Sequence, residues 1–137
     1  RIAARRARFY TRFLQIGIHP GGGHTWMLRR IVGPQAASAM VLFGEVVDGA
    51  EAERIGLVHR VVDDDQLLVS AKAMASRAAA TPRELLIETK RTLAAVASVD
   101  DHPSAVEREI GPQIWSTKQP AFLELVARLQ AQISSKK

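Results

Sequence analysis

Residues 17–33 read Gly17-Ile18-His19-Pro20-Gly21-Gly22-Gly23-His24-Thr25-Trp26-Met27-Leu28-Arg29-Arg30-Ile31-Val32-Gly33. Pro20 pushes His19 out of helical geometry, because the proline ring crowds an α-helical predecessor. Three consecutive glycines then permit positive φ without steric cost. The first seven residues of the stretch are therefore a loop. Trp26, Leu28 and Ile31 belong to a helical run that stops at Gly33. Pro34 suits the first turn of a following helix, where its missing N–H is no loss, and Gly44 suits that helix's end. Ala36, Ala37, Met40 and Val41 recur at helical spacing between the two.

On the N-terminal side, Ile2-Ala3-Ala4 is short and apolar and reads as the end of a strand. Phe9 to Ile18 lacks clean alternation and leads into the loop. On the other side, Asp48 and Glu51 fit a D-x-x-E variant of the capping box, and Gly56 ends the short helix that it starts. Leu57 to Val62 is rich in β-branched residues, which predicts a short strand.

From Asp63 onward the pattern is helical. Asp63, Asp64 and Asp65 place negative charge at a helix start, where the macrodipole favours it. Leu67, Leu68, Ala71, Met74 and Ala75 mark one face. Thr81-Pro82-Arg83-Glu84 predicts a second capping box, and Leu86, Lys90, Leu93 and Val96 follow it. Asp101-His102-Pro103 opens another helix, which Gly111-Pro112 is expected to kink or break. Phe122, Leu125, Val126, Leu129 and Ile133 then form an apolar stripe on the last helix. The expectation is a small strand-and-loop start followed by about six helices. Residues 1–62 do not look like a complete fold, since one or two short strands cannot make a stable sheet. They divide from a helical region, residues 63–137.

The chain has 137 residues and a formal net charge of +5. Residues 1–12 contain Arg1, Arg5, Arg6, Arg8 and Arg12 and no acid, while residues 13–137 hold all 14 acidic side chains and an equal number of basic ones. The positive charge is thus confined to one edge, which argues against a nucleic-acid binder. The absence of cysteine excludes a disulfide scaffold, a thiolate nucleophile and a Cys-ligated zinc, and makes a reducing cytoplasm the default compartment. No apolar run is long enough to cross a membrane. The first residue is Arg rather than Met, so the chain is expected to be cut from something longer.

The pattern from Phe9 to Val58 resembles the enoyl-CoA hydratase/isomerase (crotonase) superfamily. The matching stretches are Ala7-Arg8-Phe9, Gly17 to Gly23, Leu28 to Gly33, Ala36, Met40-Val41-Leu42-Phe43-Gly44, Ala50-Glu51-Ala52 and Gly56-Leu57-Val58. Family members read roughly F-x-x-P-E-x-x-x-G-x-x-P-G-x-G-G, then L-x-R-x-V-G, A-x-x-L-x-L-T-G, A-x-E-A and G-L-V. Each motif is weak alone; the ordered set is specific. Downstream, Thr89-Lys90 and Ala121-Phe122-Leu123-Glu124 also look like the family's tail, although Thr117-Lys118 stands where an E-G pair is usual.

The resemblance implies an α/β fold, the ClpP/crotonase spiral, of which this chain is the mostly helical C-terminal portion. Residues 1–62 would be the end of the core with its active-site loop, and residues 63–137 the trimerisation region. The implied upstream half carries the two N–H donors of the oxyanion hole, one catalytic carboxylate and most CoA contacts. The acidic neighbours of the N-terminal arginines are expected there too. The implied substrate is a CoA thioester, with no separate cofactor. Implied partners are a complementary N-terminal half, if the protein is cleaved, and further copies of the chain in a homotrimer or hexamer.

Hydratases of this family use two carboxylates, which together activate water and deliver a proton to carbon. The second lies in the P-E dipeptide, and here that dipeptide is Arg12-Phe13. No catalytic residue is therefore assigned. Isomerase-like enolate chemistry remains open, as does a non-catalytic relative serving acyl-CoA binding or assembly. Phe13 reads as pocket lining, with a plain core role or a shifted alignment as alternatives. By resemblance Gly17, Pro20, Gly21 and Gly22 shape the acyl end, and Phe122 closes over CoA or packs in the core. His19 and His24 flank the glycines; packing or hydrogen bonding is favoured over acid–base work, and no metal site is assigned. Trp26 and Trp115 read as core or interface anchors. Lys136 and Lys137 read as a solvated tail, with contact to CoA phosphates as the lesser alternative.

Overall fold

A computed structural model describes residues 1–134, so Lys136 and Lys137 lie outside the described residues. The chain divides into two compact units, Arg1–Met74 and Ala75–Lys137. Among the described residues no helix is long and apolar enough to cross a membrane.

The first unit is held by two small sheets around a bent helix. Strand β1 (Ile2–Ala4) pairs in parallel with β4 (Arg60–Val62), placing Ala3 opposite Val61. Strand β2 (Arg8–Phe9) pairs antiparallel with β3 (Val47–Asp48), placing Phe9 opposite Val47. The β2–β3 pair was not expected, because two-residue strands carry no readable alternation. Strand β4 is also shorter than the predicted Leu57–Val62, since Gly56 to His59 turns before it.

Helix α1 (His24–Phe43) consists of two helical stretches joined at Gly33, whose φ of 77° and ψ of 170° are not helical. The expected break at Gly33 and restart at Pro34 are both present. Gly44 closes the second stretch in the left-handed conformation and donates its N–H to the Ala39 carbonyl. Thr11 supplies another closure: its buried hydroxyl donates to the Met40 carbonyl at 2.7 Å. Met40 lies in the last turn, where carbonyls lack helical donors.

Helix α2 (Gly49–Arg54) begins as the capping box predicts, with the Glu51 N–H donating to Asp48 Oδ1 at 2.9 Å. Arg54 hydrogen-bonds Glu51, and that contact holds the Glu51 carboxyl below its ordinary range. Ala3, Leu28, Ala37, Met40, Val47, Ala52 and Val58 form the buried core. The small residues let β1, α1 and α2 approach closely.

Two arginines of the N-terminal cluster, Arg5 and Arg6, find acidic neighbours inside this unit. Arg5 Nε lies 3.1 Å from Asp63 Oδ1, and the Arg6 backbone N–H donates to Asp64 Oδ1 at 3.0 Å. Those aspartates open a 3₁₀ turn, Asp64–Gln66, that leads into α3 (Leu67–Ala79). Both ion-pair partners are exposed, so the pairing orients more than it stabilises.

The second unit contains the end of α3 and three further helices, α4 (Arg83–Val96), α5 (His102–Ser116) and α6 (Pro120–Ser134). The predicted Thr81 cap is not formed. Helix α4 starts after Pro82, with no side-chain hydrogen bond at its cap. At α5 the cap is real: the Ser104 N–H donates to Asp101 Oδ1 at 2.9 Å and holds that carboxyl below its usual value. Helix α5 runs through Gly111-Pro112 without the expected break. Proline's steric demand falls on the Cβ of the preceding residue, and Gly111 has none. The missing N–H and the ring's crowding of the Arg108 carbonyl one turn back remain as costs.

Candidate functional site

The loop between Phe13 and His24 is built from two successive turns. A 3₁₀ turn over Leu14–Ile16 ends at Gly17, which is left-handed at φ 74°. The Gly17 N–H donates to the Leu14 carbonyl at 3.1 Å, and the Ile18 N–H to the Phe13 carbonyl at 3.0 Å. Pro20 is buried and anchors the middle of the loop. Gly22 and Gly23 take φ of 62° and 79°, and the His24 N–H closes the second turn on the Gly21 carbonyl at 3.1 Å. Positive φ explains glycine at positions 17, 22 and 23.

Gly21 is different. Its backbone does not require glycine, and a Cβ built on it would meet nothing within 4 Å. Neither conformation nor packing in this chain demands a bare backbone there.

The second turn carries His24 to the first position of α1, where its ring lies against Phe13. The ring centroids are 5.0 Å apart and inclined by 55°. His24 Nε2 is buried, and among the described residues it has no hydrogen-bond partner. His19 is exposed, with Nδ1 2.7 Å from the Pro20 carbonyl. The two loop histidines thus do as expected: one packs and one hydrogen-bonds. The specific pairing of His24 with Phe13 was not readable, because it needs both turns to close.

Phe13, Gly17, Pro20, Gly21 and Gly22 therefore share one loop. Phe122 belongs to the second unit. It lies on α6 with its side chain partly exposed, and lines an open cleft of about 600 Å³ with Pro82, Leu85, Trp115 and Leu125. Trp26 is 60% exposed within this chain, with the Arg30 guanidinium 4.0 Å above its ring, so of the two expected roles only the interface one is open to it here.

A family model described as enoyl-CoA hydratase/isomerase matches residues 1–119. The chain belongs to that family. It is 43% identical over 135 residues to the probable enoyl-CoA hydratase EchA14 of Mycobacterium tuberculosis, covering 95% of this chain and 52% of that protein. Among solved structures, an enoyl-CoA hydratase of Mycobacterium smegmatis superposes with a TM-score of 0.87 at 29% identity, over 96% of this chain and 50% of that one. A probable enoyl-CoA hydratase/isomerase from Mycobacterium abscessus gives 0.86 at 29% identity, with the same coverage. The fold is the crotonase fold, and the chain spans about half the length of the relatives it matches.

Proposed function

We propose that this chain is the C-terminal portion of an acyl-CoA thioester-processing protein, with residues 17–23 shaping the acyl end of the site. The observation that carries this reading is the aromatic–imidazole contact at the foot of the glycine loop. Where the family pattern places a water-activating carboxylate, Phe13 packs against His24. An aromatic ring can neither accept a proton from water nor hold its oxygen. Addition of water to an enoyl thioester is therefore not the favoured reaction. Enolate chemistry that moves a proton without adding water fits better, with the enolate oxygen held by backbone donors outside this chain. Gly21 supports the same reading, since its open face suits close approach of an acyl group.

The exposed stripe of Phe122, Leu125, Leu129 and Ile133 on α6 supports assembly with further copies of the chain, in a trimer or hexamer. By this reading the site acts in the cytoplasm, on a free CoA thioester.

The test is a comparison of reactions in the full protein. Crotonyl-CoA is assayed for hydration and a 3-enoyl-CoA for double-bond shift, with butyryl-CoA binding measured by calorimetry. The proposal expects thioester binding and little hydration. Rapid hydration of crotonyl-CoA would overturn the role given to Phe13. Binding without either reaction would leave an acyl-CoA-binding member of the family.

A further inference from the structure

Resting on the acyl-CoA reading above, we propose that His24 is a specificity-determining residue. Its Nε2 hydrogen-bonds an oxygen carried by the acyl group, so acyl groups with such an oxygen are preferred to plain alkyl ones.

Three observations converge on this residue. The first is the buried Nε2, which has no hydrogen-bond partner among the described residues. Buried polar groups are nearly always hydrogen-bonded, because an unpaired one keeps the whole cost of losing water. The second is the ring contact with Phe13, which orients the imidazole at the position where the family pattern expects a carboxylate. A polar ring, the His24 imidazole, thus lies against the residue at that position. Its nitrogen accepts or donates according to tautomer, which suits a hydroxyl or an oxo oxygen. The third is the bare surface of the glycine run. At Gly21, Gly22 and Gly23 an added Cβ would meet nothing within 4 Å, so the space over these three residues is open in this chain.

Nε2 is buried, and the ring that carries it lies against Phe13. Phe13 is only partly buried and immediately precedes a one-turn 3₁₀ segment. By this proposal a rotamer change of that one side chain opens a ligand oxygen's access to the imidazole. A plain alkyl chain has nothing to offer that nitrogen.

The experiment uses the full protein with butyryl-CoA, 3-hydroxybutyryl-CoA and acetoacetyl-CoA, titrated calorimetrically into wild type, His24→Phe and His24→Gln. Wild type is expected to bind at least one oxygenated thioester about tenfold more tightly than butyryl-CoA, which corresponds to about 1.4 kcal/mol. In His24→Phe that ratio falls to one. His24→Gln, which keeps a hydrogen-bonding group, retains part of it. Equal affinities in wild type, or a ratio that survives in His24→Phe, would overturn the inference while leaving the acyl-CoA reading intact. So would a ¹⁵N imidazole shift showing Nε2 already hydrogen-bonded in the ligand-free full protein. Failure of all three thioesters to bind would overturn the acyl-CoA reading itself.

Discussion

A Cβ placed on Gly49 would lie 2.9 Å from the carbonyl oxygen of Ala4 and 3.0 Å from that of Arg5. Helix α2 therefore begins directly against the end of β1, and backbone rather than a movable side chain occupies the space. Gly49→Ala must displace one of these two elements. It is expected to lose about 1–3 kcal/mol in chemical denaturation, the usual cost of overfilling a packed site. An unchanged midpoint would mean that the two elements part easily.

The loop glycines separate two kinds of requirement. Gly22→Ala and Gly23→Ala are each expected to cost about 1 kcal/mol of stability, because both positions are left-handed. Gly21→Ala should melt with the wild type yet bind butyryl-CoA more weakly, since nothing in this chain meets the new methyl group and an incoming acyl group would. Thermal melting and calorimetry on the same samples check both. Full affinity in Gly21→Ala would remove the support this residue gives to the proposed acyl site.

Phe13→Glu restores a carboxylate at the position where the family pattern has one. In the full protein, crotonyl-CoA hydration is expected to rise about 100-fold or more, the usual worth of a placed acid–base group. A melting curve establishes that the variant folds. A folded variant with no gain would show that the carboxylate position has been assigned to the wrong residue.

Thr11→Val removes the hydroxyl that donates to Met40 while keeping the side chain's shape. The last turn of α1 then loses a buried partner, and stability is expected to fall by about 1–3 kcal/mol. Hydrogen exchange at the end of α1 should accelerate more than exchange at its start.

The α5 cap gives a pH dependence. The Ser104 N–H holds the Asp101 carboxyl below its ordinary value in the folded state. A group of this kind contributes stability above its unfolded pKa, and the contribution disappears as pH falls through the folded value. Fraying at the start of α5 should therefore set in below about pH 4. Asp101→Asn, which caps without titrating, should lose that dependence. An identical acid profile in both proteins would show that other groups govern it.

Much of the helical layout is legible because its determinants are local. Gly33-Pro34, Gly44 and the Asp48–Glu51 pair act within a few residues along the chain, and each marks the boundary it predicts. Local signals also mislead where a neighbour changes their meaning. Thr81 has the right residue type for a cap but makes no capping bond, whereas Asp101 makes one. Gly111 removes one part of the obstacle that Pro112 raises, the clash with a preceding Cβ, and the helix continues.

The sequence alone was enough to determine the family and the residues of the loop, because ordered motifs and glycine spacing are properties of the linear chain. Only the tertiary structure decided that β1 pairs with β4, that Asp63 and Asp64 pair with Arg5 and Arg6, and that Phe13 meets His24. The strand pairing and the charge pairing join residues nearly sixty positions apart; the ring contact depends on two turns closing in succession. Such contacts are set by how packed elements meet in space, and no short window of sequence contains that information.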